Sequence, residues 1–298
     1  MIRSSRWLDR VLVGGVLLLL VAITTIVVLQ AGRERARNNG SPTAAAIVPT
    51  TAALPPPLAT PLASSVATPL AGNVVCLDLG HGGMDWGNVR LEDEQVVLRE
   101  KDLTLTTGLD LARRLRSDGL TVVTTRDTDT EANPANADVN GDGIVASPDD
   151  QANSDELDDQ QARVNICNEA GADLLVSIHY NAAENTALEG FEVWYNDQRP
   201  FSDQSERLAT LVHEELATRL TAAGLDATDR GIGIEDHAVT GPERPHELAP
   251  SEMPGVVVEG LFLSNDDDAA FIQTPGGEEA IVTAYERAIR AYFGASAG

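Results

Sequence analysis

The chain has 298 residues, an apolar share of 43% and a formal net charge of −25, which allows one sizeable domain with appendages. Fifteen of the 21 basic residues but 44 of the 46 acidic ones follow residue 72, a balance of −29 over the rest of the chain. Such a surface repels phosphate backbones and argues against a nucleic-acid partner; otherwise it reads as a device for solubility.

Residues 1–10 are a short basic stretch with Arg3, Arg6 and Arg10. Residues 11–32 carry no charge. As a helix they would span about 33 Å, against a hydrocarbon core of about 30 Å. This predicts a transmembrane helix or signal anchor. A cleaved signal peptide is the alternative, although its apolar region is usually about 7–15 residues. Arg33, Arg35 and Arg37 balance the charges before the span, so charge alone does not orient it. Residues 33–72 read as a linker rich in Pro, Ala and Thr, a composition that favours extended chain and buries no core.

Residues 73–298 read as one globular domain. Strands are predicted at 74–79, 121–125, 173–179, 190–195 and 255–261. Helices are predicted at 101–116, 161–170, 202–223 and 276–293, the first from Leu105, Leu109, Ala112 and Leu115 at helical spacing. Strands alternating with helices predict an α/β fold: a three-layer sandwich with a mostly parallel or mixed central sheet flanked by helices. Cys76 and Cys167 lie in apolar surroundings and read first as small buried hydrophobes. An exported domain would let them pair if their Cα atoms lie close enough.

Three apolar strands end in polar groups. The first runs into Gly80-His81-Gly82-Gly83, the second ends at His179 with Asn181 beyond, and the third ends at Glu259. Ligands of open α/β sheets bind outside the carboxyl ends of the strands, so neighbouring strands would bring His81, His179 and Glu259 to one mouth. Glu100, opening the first predicted helix, could reach it. Two histidines, a carboxylate and an open position suit hydrolytic zinc. A further carboxylate suits general base and acid work. Asp85 and Asn181, in the turns beyond the two histidines, are candidate substrate-binding residues. Of the other histidines, His213 reads as structural, and His237 and His246 as loop residues that could line a groove.

An acidic insertion follows calcium-loop spacing. Asp138, Asn140, Asp142 and Asp149 stand at positions 1, 3, 5 and 12, Gly143 at position 6, and Ile144 would offer its backbone carbonyl. This predicts a structural Ca²⁺ at 138–149, with a solvated acidic loop as the alternative. The aspartate at position 12 makes the loop resemble the dockerin type.

Several blocks together resemble the zinc amidase family typified by the cell-separation N-acetylmuramoyl-L-alanine amidases. They are Asp78-Leu-Gly-His-Gly-Gly-Met-Asp-Trp-Gly87, Leu98-Arg-Glu-Lys-Asp-Leu-Thr-Leu105, Thr125-Arg-Asp-Thr-Asp129, Ser177-Ile-His-Tyr-Asn181 with Arg163, Asn168, Ala172 and Asp173 before it, and Val258-Glu-Gly-Leu-Phe-Leu-Ser-Asn265. The resemblance covers about residues 74–293. It implies zinc on His81, Glu100 and His179, with Glu259 as the catalytic carboxylate. It also implies a peptidoglycan substrate cut between N-acetylmuramic acid and L-alanine, and a protein activator if a helix covers the site. With the N-terminal segment, it implies a catalytic domain outside the cytoplasmic membrane of a bacterial cell envelope, or a secreted one if that segment is cleaved. Three features depart from the family: Leu79 stands where it usually has proline, 138–158 is inserted, and 229–252 matches no block. Alternative functions are a zinc hydrolase cutting elsewhere in the stem peptide and a non-catalytic wall-binding regulator.

Overall fold

The computed structural model describes residues 70–145, 154–244 and 248–295. The predicted membrane span, the linker up to residue 69, Asp149 and His246 lie outside them. No helix among the described residues is long and apolar enough to cross a membrane.

The run Val-Val-Cys-Leu-Asp-Leu forms β1 (Val74–Leu79), a strand buried on both faces. It lies in a six-stranded sheet with β4 (Thr121–Thr124), β5 (Leu174–Asn181), β6 (Phe191–Tyr195), β7 (Asp229–Ile234) and β8 (Gly255–Phe262). The order is β4-β1-β5-β8-β6-β7. The first four strands in that order are parallel neighbours, β6 runs antiparallel to β8, and β7 is parallel to β6. The sheet is therefore mixed, as the alternation of elements predicts.

Helices cover both faces. On one, Val75, Leu77, Val176, Ile178, Val256 and Val258 pack with residues of α1 (Glu100–Ser117), α3 (Ser202–Ala222) and α5 (Pro275–Ala295), including Leu111, Leu208, Val212, Ile281 and Ile289. Full burial of each such side chain stabilises the fold by about 1.5–3 kcal/mol. On the other face, Cys76, Leu175 and Val257 meet Val164 and Cys167 of α2 (Ser154–Glu169). Cys76 and Cys167 are both buried and joined by a disulfide, closing a sequence separation of 91 residues.

Four short elements have no counterpart among the predicted ones: the two strands of a hairpin, a short helix and β7. A hairpin, β2 (Val89–Glu92) and β3 (Gln95–Arg99), turns at Asp93 and Glu94, both at positive φ without glycine. Its apolar residues Leu91, Val96 and Val97 are exposed, so it lacks the buried face that makes alternation legible. The seven-residue α4 (Asp266–Ile272) is capped by Asn265, whose Oδ1 accepts the amides of Asp267 and Asp268. Helix α2 starts at Ser154, well before the predicted start at 161, because the helix continues through acidic residues with no apolar periodicity.

The carboxyl end of β1 is held by charge. Asp78, 1% exposed, takes Arg163 Nη1 at 2.8 Å and the Thr125 hydroxyl at 3.0 Å on one oxygen, and the Ser177 hydroxyl at 2.7 Å on the other. Burial opposes the charge, but Arg163, His179 and Ser177 outweigh it and hold the Asp78 carboxyl below the usual carboxylate range.

Two outcomes follow from this packing. Cys167→Ala should lower stability by about 2–5 kcal/mol, read as a denaturation midpoint. A wild-type midpoint unmoved by complete reduction would show that the bond contributes nothing. Because the folded pKa of Asp78 lies below its unfolded value of about 3.9, its contribution is complete above that pH and fades as pH falls through the folded value. Asp78→Asn should therefore lose stability at neutral pH and show a flatter decline on the acid side; parallel acid limbs for the two proteins would contradict this.

Candidate metal centre

The loop after β1 carries His81 in an unusual backbone conformation, φ 62°. Such strain in a non-glycine residue persists where surroundings over-determine it. Here Arg163 donates to the carbonyls of Leu79 (2.9 Å) and His81 (2.7 Å), while Arg126 donates to those of Leu79 (2.9 Å), Gly80 (3.1 Å) and Lys101 (2.7 Å). Two glycines are required by close approach. A Cβ at Gly80 would lie 2.4 Å from His179 Cε1, and one at Gly87 2.5 Å from His81 Cδ2.

The His81 ring is held from both sides. Nδ1 meets Asp85 Oδ2 at 2.6 Å, and Nε2 meets Glu100 Oε1 at 3.1 Å. Glu100, at the N-terminus of α1, is 1% exposed. Its Oε1 accepts the Tyr180 amide and meets His179 Nδ1, each at 3.0 Å; its Oε2 accepts the Asn88 amide at 2.8 Å. Burial opposes its charge, but His179 and His81 hold it far below the usual carboxylate range. For His81, burial opposes the imidazolium, yet Asp85 and Glu100 raise its pKa to about 10.

Ligand atoms of His81, Glu100 and His179 all lie within 4.8 Å of one another, an arrangement that could hold a metal ion. The donor set fits zinc in type, two imidazoles and one carboxylate. Its electrostatics fit a cation too, because the carboxylates of Asp85 and Glu100 both stand against the His81 ring. Asp85, expected at the substrate, has one oxygen on His81 and the other on the Gly87 amide at 2.9 Å. It is placed to orient the imidazole.

Glu259 lies beside this cluster. It is the register partner of His179 on β5 and of Glu192 on β6, so the three side chains share one face of the sheet. Its Oε2 is buried without a hydrogen-bond partner. Burial pushes the carboxyl up; His179 opposes this, Glu100 and Glu192 add to it, and the pKa reaches about 7. Asn181 donates through Nδ2 to Glu192 Oε1 at 2.7 Å, and Glu192 Oε2 accepts Arg230 Nε at 3.0 Å. Glu192 and Arg230 are not among the site residues expected from the sequence; the available signal was an acidic residue inside the apolar run Phe-Glu-Val-Trp-Tyr.

The insertion does not assemble a comparable cluster among the described residues. The loop's own amides occupy its oxygens: those of Gly141 and Gly143 donate to Asp138, that of Asp142 to Asn140, and that of Ile144 to Asp142. His213, on α3, meets Asp229 at 2.6 Å. His237 packs edge-on to Trp194, with ring centroids 6.1 Å apart.

Residues 75–291 match the family model described as N-acetylmuramoyl-L-alanine amidase. The germination-specific N-acetylmuramoyl-L-alanine amidase of Bacillus subtilis is 27% identical over 76% of this chain and 81% of its own length. The probable cell wall amidase LytH of Staphylococcus aureus is also 27% identical, over 76% of this chain but 60% of its own length. Among solved structures, an N-acetylmuramoyl-L-alanine amidase from Clostridium difficile 630 superposes with a TM-score of 0.55 at 26% identity, covering 74% of this chain and 96% of that one. With a family model spanning nearly the whole described domain, the chain belongs to the N-acetylmuramoyl-L-alanine amidase family.

Proposed function

We propose that the chain hydrolyses the amide between the lactyl group of N-acetylmuramic acid and the L-alanine of the stem peptide in peptidoglycan, with zinc held by His81, Glu100 and His179. The observation that carries the chemistry is Glu259, a carboxylate with one buried, unpartnered oxygen next to His179. Zinc, when bound, supplies a Lewis acid that polarises the scissile carbonyl and brings the pKa of water down to about 7. Glu259 takes the proton from the attacking water and returns it to the departing amine of L-alanine. A carboxyl whose burial raises its pKa suits both halves of that exchange. Asp85 fixes the His81 ring, and the Asn88 and Tyr180 amides fix Glu100, so these ligands are oriented before any ion arrives.

The uncharged segment 11–32 and the proline-rich segment 33–72 support a tether holding domain 73–298 off the outer face of a membrane. Their composition is the basis of that part of the reading, which is tested by whether the mature protein retains residues 11–32 in the membrane fraction.

The reaction is tested with the full chain on purified peptidoglycan, identifying released material by mass spectrometry. Wild type should release peptides beginning with L-alanine. Glu259→Gln should lower kcat by about 10²–10⁴-fold while retaining zinc in elemental analysis. His179→Ala should lose both zinc and activity. Cuts within the stem peptide, or full activity in the Glu259 variant, would overturn the assignment.

A further inference from the structure

Glu192 and Arg230 extend the site beyond Glu259, and the proposed chemistry leaves them unused. His179, Glu259 and Glu192 are successive register partners across β5, β8 and β6, with neighbouring Cβ atoms about 5 Å apart. The row continues to Arg230 on β7, whose Nε donates to Glu192 Oε2 at 3.0 Å. The Arg230 guanidinium also stacks on Phe262, 5.0 Å from the ring centroid. The side chain is thus fixed by an ion pair and an aromatic face, yet remains 29% exposed. Its two terminal nitrogens meet no acceptor among the described residues. This contrasts with Arg163 and Arg126, whose terminal nitrogens bond carboxylate or carbonyl oxygens.

A pre-positioned guanidinium with free terminal N–H groups matches a carboxylate, the geometry in which arginine exceeds lysine. The setting sharpens the point, because a chain of net charge −25 repels acidic ligands unless a fixed cation stands where they bind. In the proposed substrate the lactyl carboxyl is consumed in the scissile amide, so carboxylates remain on the peptide half. We propose that Arg230, positioned by Glu192, is a subsite for a carboxylate of the substrate's peptide portion, at the β7 end of this row. This inference rests on the proposed function.

The test uses two muramyl-peptides of one sequence, with free peptide carboxylates or with the same groups as amides. The readout is the ratio of their kcat/KM values. Wild type should favour the acid by about tenfold or more, as expected for a charge-assisted hydrogen bond. Arg230→Gln should bring the ratio near unity through KM, and Arg230→Lys should restore only part of it. If Arg230→Gln does not fold, the double variant Glu192→Gln/Arg230→Gln removes both charges together and should give the same collapse. A ratio unchanged in these variants, or absent in wild type, would overturn the proposal and leave Arg230 as the counter-ion of Glu192. Calorimetry with the free peptides separates the two readings. Acid-selective binding that Arg230→Gln abolishes, without cleavage by wild type, keeps the subsite and removes the reaction. Cleavage of both substrates without preference keeps the reaction and removes the subsite.

Discussion

Two buried arginines at the carboxyl end of β1 decide where the first histidine of the site sits. A loop leaving a central parallel strand presents carbonyls with no ladder partner, and buried carbonyls left unpaired are costly. Arg126 and Arg163 satisfy those of Leu79, Gly80 and His81 from one side. Asp78 neutralises Arg163 from within the sheet. Burial and the neighbouring Arg163 lower the pKa of Arg126 to about 10, which still leaves it charged at neutral pH. The arrangement locks His81 in its left-handed conformation while Asp85 fixes its ring. Removing one member of so buried a pair leaves the other uncompensated.

The same electrostatic logic separates the roles of the carboxylates. Glu100 is held ionised by two imidazoles and two backbone amides. Glu259, on β8, lacks such partners on Oε2 and is pushed toward neutrality by burial and by Glu100 and Glu192. Two glutamates of one site thus acquire different affinities for a proton from their surroundings alone, as the proposed roles of ligand and base require. Glu192 differs again, since Arg230 and Asn181 each satisfy one of its oxygens.

Much of this was legible in the residue order. Continuous apolar runs set β1, β5 and β8, and their polar ends marked His81, His179 and Glu259. The disulfide was not legible, because apolar surroundings suit a buried thiol and a paired one equally, and only the packing of α2 on the sheet brings Cys167 to Cys76. Hairpin β2–β3 escaped because most of its apolar residues, Val89, Leu91, Val96 and Val97, are exposed. Glu192 and Arg230 escaped for a topological reason. Ligands of α/β sheets are expected at the carboxyl ends of the strands, but β6 and β7 run opposite to β8, so the residues they bring to the mouth lie near their starts. No local pattern reveals a strand's direction in a mixed sheet.

That reversal has a mechanical consequence. A site confined to loops after parallel strands depends on several independent backbone conformations. Here His179, Glu259 and Glu192 sit within hydrogen-bonded strands, so their separation is set by the interstrand spacing of about 4.8 Å. The loop after β1 contributes His81 and Asp85, and there the buried arginines hold the backbone of Leu79 to His81 while Asp85 and Glu100 hold the His81 ring. The backbone of the sheet residues is fixed by the strand ladder, and that of the loop around His81 by two guanidinium groups. Precision of this kind, with side chains on rigid elements and an outer shell of hydrogen bonds, is what polarising and cleaving an amide demands.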